Sequence, residues 1–166
     1  MNREPIKIIG DILKNGMALN NEQIYIYNQD FKIPETSGLF VLLQYNNSVN
    51  YSSTNQFVSE GAGEAQENIS MLTKENYTIN VISKNDEARQ RKEEVVMALN
   101  SNFSQNQQGL HQFQIAKISN GFINVSELEG AGMLNRFAIN IDCTGFYNKI
   151  NNITFYDDFT NQILFD

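Results

Sequence analysis

MLNRFAINIDCTGFY, Met133 to Tyr147, decides the fold. Phe137, Ile139, Ile141 and Cys143 alternate with Ala138, Asn140, Asp142 and Thr144. That period of two belongs to a strand with one face on a core. Just upstream, Glu129-Gly130-Ala131-Gly132 leads into this strand. Glycines there serve a tight turn or bulge equally well as the close approach of a neighbouring subunit, and both readings stand. Further upstream, Phe113 to Ile118 and Phe122 to Val125 are short strand candidates. EARQRKEEVVMALNS, Glu87 to Ser101, is the best helix: Asn85 or Asp86 caps it, and Ala88, Arg91, Val95, Ala98 and Leu99, or Val96, Leu99 and Phe103, form its apolar face. Glu67 to Lys74 and Tyr77 to Ser83 read as strands of one sheet. Leu39 to Leu43 is a continuous apolar run, the mark of a central strand covered on both faces. Gln23 to Tyr27 alternates like a strand, and Phe31 to Pro34 runs into a turn ending at Gly38. Glu4 to Asn15 is a helix with Pro5 in its first turn, Ile6, Ile9, Ile12 and Leu13 on one face, and Gly16 as a stop.

The expected fold is therefore α+β: a mixed, mostly antiparallel sheet backed by two main helices, with a long hairpin or loop. One domain, residues 1–166, accommodates it. Residues 46–63 are polar apart from Tyr51, Phe57 and Val58, and read as an extended loop or a long hairpin tip. Residues 148–166 read as an extended, aromatic and acidic tail. Asn supplies roughly one residue in seven, against a more even usage in average proteins. Its concentration between apolar runs points to many loops, and the codon bias of an AT-rich genome accounts for its abundance.

Nineteen acidic against twelve basic residues give a net charge of −7. Such a surface repels phosphate backbones and argues against sequence-specific nucleic-acid binding, yet suits a passage through which DNA slides without sticking. No apolar run reaches the ~20 residues of a membrane span, and MNREPIKIIGDILKNG has no secretion-signal pattern. The expectation is a protein that stays in the cytoplasm where it is made, with no membrane partner.

Candidate chemistry is sparse. His111 is alone among glutamines and has no second ligand at metal-site spacing. Cys143 shares a strand face with Ile139 and Ile141, which makes it a buried, inert thiol and leaves no disulfide or cysteine metal site. Gly61-Ala62-Gly63 and Gly130-Ala131-Gly132 are half-motifs lacking the Gly-Lys-Ser/Thr ending of a phosphate loop. Asp157, Asp158 and Asp166 are solvated carboxylates near a terminus. Arg89, Arg91 and Lys92 alternate with Glu87, Glu93 and Glu94 as ordinary intrahelical pairs on a solvated face. No catalytic residue, metal or cofactor is expected.

The opening helix, the strand from Ile24 to Tyr27 leading to Pro34, Gly38 to Leu43, EARQRKEEVVMAL, and Leu128-Glu129-Gly130-Ala131-Gly132-Met133-Leu134-Asn135-Arg136-Phe137 together resemble the neck or tail terminator family of tailed bacteriophages. The resemblance covers most of residues 4–147 in order and spacing, and leaves out 46–63 and the tail after Asn148. It implies a sheet backed by helices and a structural rather than enzymatic role. Proteins of this kind form a ring, here expected as a hexamer, that stops the tail tube, meets the connector or stopper of the head and lets DNA pass. Their place is the neck or tail of the virion, after synthesis in the host cytoplasm. Partners would be other copies of the chain, the tail tube protein and the head connector. The residues assigned to the subunit interface are Glu129, Asn135 and Arg136 before the strand, with Tyr51 and Phe57 as aromatic anchors in the polar segment. Arg136→Glu is expected to spare folding and weaken assembly. Alternatives are another head–tail connector or tail tube component, or a small cytoplasmic ligand-binding α+β domain.

Overall fold

The computed structural model describes residues 4–27, 38–61, 64–129 and 132–154. Its frame is three long antiparallel strands. β2 (Phe40–Gly61) pairs along its length with β3 (Glu64–Ser83), and β3 pairs with β7 (Gly132–Thr154) without a break from Glu64/Thr154 to Ser83/Asn135. Short strands flank this frame at one end. β1 (Ile24–Ile26) runs parallel to residues 41–43 of β2. β4 (Phe113–Ile118), β5 (Ile123–Asn124) and β6 (Glu127–Glu129) pair antiparallel with successive parts of β7. The described residues thus form the mixed, mostly antiparallel α+β arrangement the sequence led us to expect.

Helices cover one face of that end. α1 (Pro5–Gly16) buries Ile6, Ile8, Ile9, Ile12 and Leu13, and α3 (Glu93–Leu99) buries Val95, Ala98 and Leu99. They meet Leu39, Val41, Leu43, Tyr77, Ile79, Val81, Phe137, Ile139, Ile141 and Cys143, the odd-numbered face of the three strands. Five consecutive residues, Leu39 to Leu43, are buried because the opposite face carries a second cluster of Phe40, Leu42, Ile82 and Leu134. The run is covered on both sides, as its continuous hydrophobicity implies.

Several sequence expectations change. Gly16 is the last residue of α1, and its missing side chain serves packing: a Cβ there would lie 2.3 Å from Ala98 Cβ on α3. The helix expected at Glu87 to Ser101 is α2 (Glu87–Arg91) followed by α3, with a turn at Lys92. Arg91 is no solvated surface charge. Besides Glu87 and Glu94, its guanidinium donates to the carbonyl oxygen of Met17 at 2.6 Å, tying this helix pair to the end of α1. The glutamine-rich stretch is helical as well: α4 (Asn102–His111) starts at Ser101, whose Oγ accepts from the amide of Ser104, and ends at Gln112 with φ of 54°. Residues 46–61 resolve the loop-or-hairpin choice as a hairpin arm, and 148–154 continue β7 instead of beginning a tail. Phe31 to Pro34 and Asp157, Asp158 and Asp166 lie outside the described residues.

Candidate functional site

Past the helix-covered end, the three long strands continue as a ribbon of β2 from Gln44, β3 up to Glu75 and β7 from Phe146. Asparagine stitches it together. Asn55 Nδ2 and Asn151 Nδ2 donate to the two oxygens of Glu67 at 2.6 and 3.1 Å, and these bonds hold the Glu67 carboxyl below its usual range. Nearer the body, Asn76 Nδ2 and Lys74 Nζ bind opposite oxygens of Asp142 at 2.7 and 2.8 Å. Asn46 Nδ2 in turn donates to Asn76 Oδ1 and Thr78 Oγ1. These asparagines sit on strands, so the Asn-rich composition that pointed to loops instead supplies cross-strand rungs.

The ribbon has two unlike open edges. β1 covers β2 only at residues 41–43, so among the described residues β2 is unpaired on its outer side from Gln44 to Gly61, about 60 Å at ~3.3 Å per residue. β4, β5 and β6 cover β7 as far as Gly145, and among the described residues Phe146 to Thr154 are left open, about 30 Å by the same rise. Apolar side chains stand out along both: Val49, Tyr51, Phe57 and Val58 on β2, Phe146, Tyr147 and Ile150 on β7. Phe57 is 66% exposed, Tyr51 62% and Ile150 62%. Asn68 Oδ1, on β3 opposite Ile150, is buried without a hydrogen-bond partner among the described residues. Long, flat, partly apolar edges of this kind are templates for another chain.

The five residues expected at an interface fall in two places. Tyr51 and Phe57 are on the ribbon. Asn135 and Arg136 are at the start of β7, where Glu129 at the end of β6 pairs with Gly132. Following the register from Arg136/Ile82 to Glu67/Phe57 gives a separation of about 50 Å along the sheet. They form no single patch. Asn135 Nδ2 donates to the Asn85 carbonyl at 2.8 Å, and Arg136 Nε donates to Oδ1 of the fully buried Asn80 at 3.0 Å. Both side chains are therefore engaged inside the molecule, and Arg136 satisfies a polar group that burial would otherwise leave costly. Val49, Phe146 and Ile150 went unnoticed in the sequence because strand-like alternation is diluted by the Asn and Ser around them.

No group of three or more His, Cys, Asp or Glu side chains among the described residues has metal-site geometry. Cys143 is buried in the main core, and that burial first, then Glu75 and Asp142, pushes its thiol up to about 12. A thiol so raised stays protonated at neutral pH, and the thiolate is the nucleophilic form. No helix among the described residues is long and apolar enough to cross a membrane. No family model matches this sequence, and no curated protein matches it significantly.

Proposed function

We propose that this chain is a structural component of a tailed-phage virion, a ring-forming neck or tail terminator protein that caps the tail tube and joins it to the head connector. The observation that carries the reading is the ribbon whose two unlike edges are open among the described residues, the outer side of β2 and the outer side of β7 beyond Gly145. A contact between unlike edges is head to tail, and such contacts close into a ring when the rotation between copies divides a full turn. Each outer strand is antiparallel to β3, so β2 and β7 run in the same direction. The junction between one copy's β7 and the next copy's β2 is then parallel. Six copies would assemble about eighteen ribbon strands, a number at which closed sheets leave an open channel. A net charge of −7 lets DNA pass such a bore without adhering. The role needs no catalytic residue or cofactor.

Mass measured over a concentration series, with negative-stain microscopy of the same samples, tests the ring. Closed particles with a central hole are expected. A monomer at every concentration that also fails to bind purified tails would sink the proposal. A tube or connector component would share the ring habit, and immunogold labelling at the head–tail junction of virions, rather than along the tail, separates it from a terminator.

A further inference from the structure

Where the ribbon leaves the body, four of the seven tyrosines of this tryptophan-free chain surround one cavity of about 450 Å³. Tyr27 follows β1, with its amide donating to the Leu43 carbonyl at 2.7 Å, and Tyr45, Tyr77 and Tyr147 come from β2, β3 and β7. The Tyr45 and Tyr77 rings meet edge to face with centroids 5.9 Å apart. Gly145 gives Tyr147 its position: a Cβ there would stand 3.2 Å from the tyrosine ring. Between the rings lies Glu75. The Tyr147 hydroxyl donates to Glu75 Oε1 at 2.8 Å, and the Tyr77 hydroxyl donates to Oε2. Burial and this carboxylate raise both phenols above their ordinary range, so both remain protonated donors.

The charge inventory of the cavity is one-sided. Its ionisable lining is Glu75 and Glu4. Lys7 pairs with Glu4 at the rim at 3.0 Å, where both side chains are more than half exposed. Glu75 has no cationic partner among the described residues. A carboxylate has about four acceptor positions, and the phenols use two. What remains is a half-satisfied anion walled by aromatic faces, and tyrosine faces attract cations.

We infer that this cavity binds the basic side chain of a partner protein, a guanidinium or ammonium on an alkyl stem, with its charge on Glu75 and its stem against the tyrosine rings. Charge complementarity selects the cation. Position selects a side chain over a free amine, because Tyr45 lies on β2 where, among the described residues, its outer edge first becomes unpaired, so that a strand added to that edge would run beside a ring of the cavity lining. The inference goes beyond the ring, and it is tested on the isolated chain, so the two proposals fail separately.

With no tryptophan present, intrinsic fluorescence reports the tyrosines. Titration with acetyl-arginine amide, acetyl-lysine amide and acetyl-citrulline amide, a neutral isostere, is expected to give saturable changes with the two cations and none with citrulline. Glu75→Gln should weaken arginine binding about tenfold or more, since it removes a charge-assisted bond. Where Glu75→Gln fails to fold, Tyr45→Ala, at a half-exposed ring, carries the same test and the same expected weakening. Citrulline binding as well as arginine, absence of saturation with both cations, or unchanged affinity in a folded variant overturns the inference. Spermidine binding more tightly than either amide would assign the cavity to free polyamines and overturn the protein partner.

Discussion

Ile139 and Ile150 lie on the same strand, β7, and the structure gives their substitutions opposite consequences. Ile139 is 1% exposed, under α1 and α3, whereas Ile150 is 62% exposed on the open ribbon edge. Ile139→Asp loses about 2–5 kcal/mol of packing. It also places a carboxyl without partners in an apolar core, at a cost of several kcal/mol more. The sum reaches the whole stability of a typical domain, about 5–15 kcal/mol, so this variant should not fold. Ile150→Asp removes little that the isolated chain has buried, and its effect on folding should stay within about 1 kcal/mol. In a ring, the same change forfeits about 1–2 kcal/mol of apolar burial at every junction, weakening each about tenfold or more. Circular dichroism melts and mass measurements on both variants decide the matter. A soluble, cooperatively melting Ile139→Asp protein would show that the register is wrong, because a slip of one residue exchanges the faces of the strand. Rings of Ile150→Asp that dissociate at the wild-type concentration would remove the β7 edge from the junction.

Leu134→Asp should unfold the chain as Ile139→Asp does, since Leu134 is buried with Phe40, Leu42 and Ile82; a wild-type melting curve would place it outside that cluster. Gly16→Ala should lower the unfolding free energy measured in urea by about 1–2 kcal/mol despite its helix propensity, because the new methyl meets Ala98; Ala98→Gly in the same chain should recover part of that loss, and a stabilised single variant would refute the close crossing. Arg136→Glu, expected from sequence to spare folding, should instead destabilise by about 1–3 kcal/mol by depriving buried Asn80 of its donor, and an unchanged melt would count against that bond. The Lys74 hydrogen bond, above all, depresses the Asp142 carboxyl in the folded chain. Its stabilisation is therefore present above the unfolded value of about 3.9 and is lost as pH falls through the lower folded value. Asp142→Asn should flatten the acid limb of stability against pH below about 4, and an identical limb would discard the ion pair as a contributor.

What was legible in the sequence is what the core requires. Ile139, Ile141 and Cys143 had to alternate with polar residues because helices press on one side of β7 and not the other. Leu39 to Leu43 had to be continuous because both sides are covered. Beyond Phe146 neither constraint acts within a single chain, so β7 continues through Asn148, Lys149, Asn151 and Asn152 with no pattern to announce it. Helix α4 was hidden for a related reason: Ser104 is its only buried residue, which leaves its capping serine as the sole local signal. The tyrosine cavity was out of reach on different grounds, since its rings come from four segments that only the strand register brings together.

The ribbon that the sequence did not announce is also the part that carries the ring proposal. Among the described residues the ribbon gains too little from its own chain to justify about 60 Å of open edge, and three strands that no described element covers bury little apolar surface. Its order within a monomer rests on rungs such as Asn55–Glu67–Asn151, which contribute only modestly each. Pairing with a neighbour supplies the missing burial and the missing backbone bonds together. The ribbon should therefore become more protected when copies associate. Amide exchange measured on β2 from Gln44 to Gly61 should slow with assembly, while exchange in α1 and at the core of β7 stays constant. Exchange in the ribbon as slow in a monomer as in the core would mean that the ribbon is self-sufficient, and would take away the physical reason for a ring.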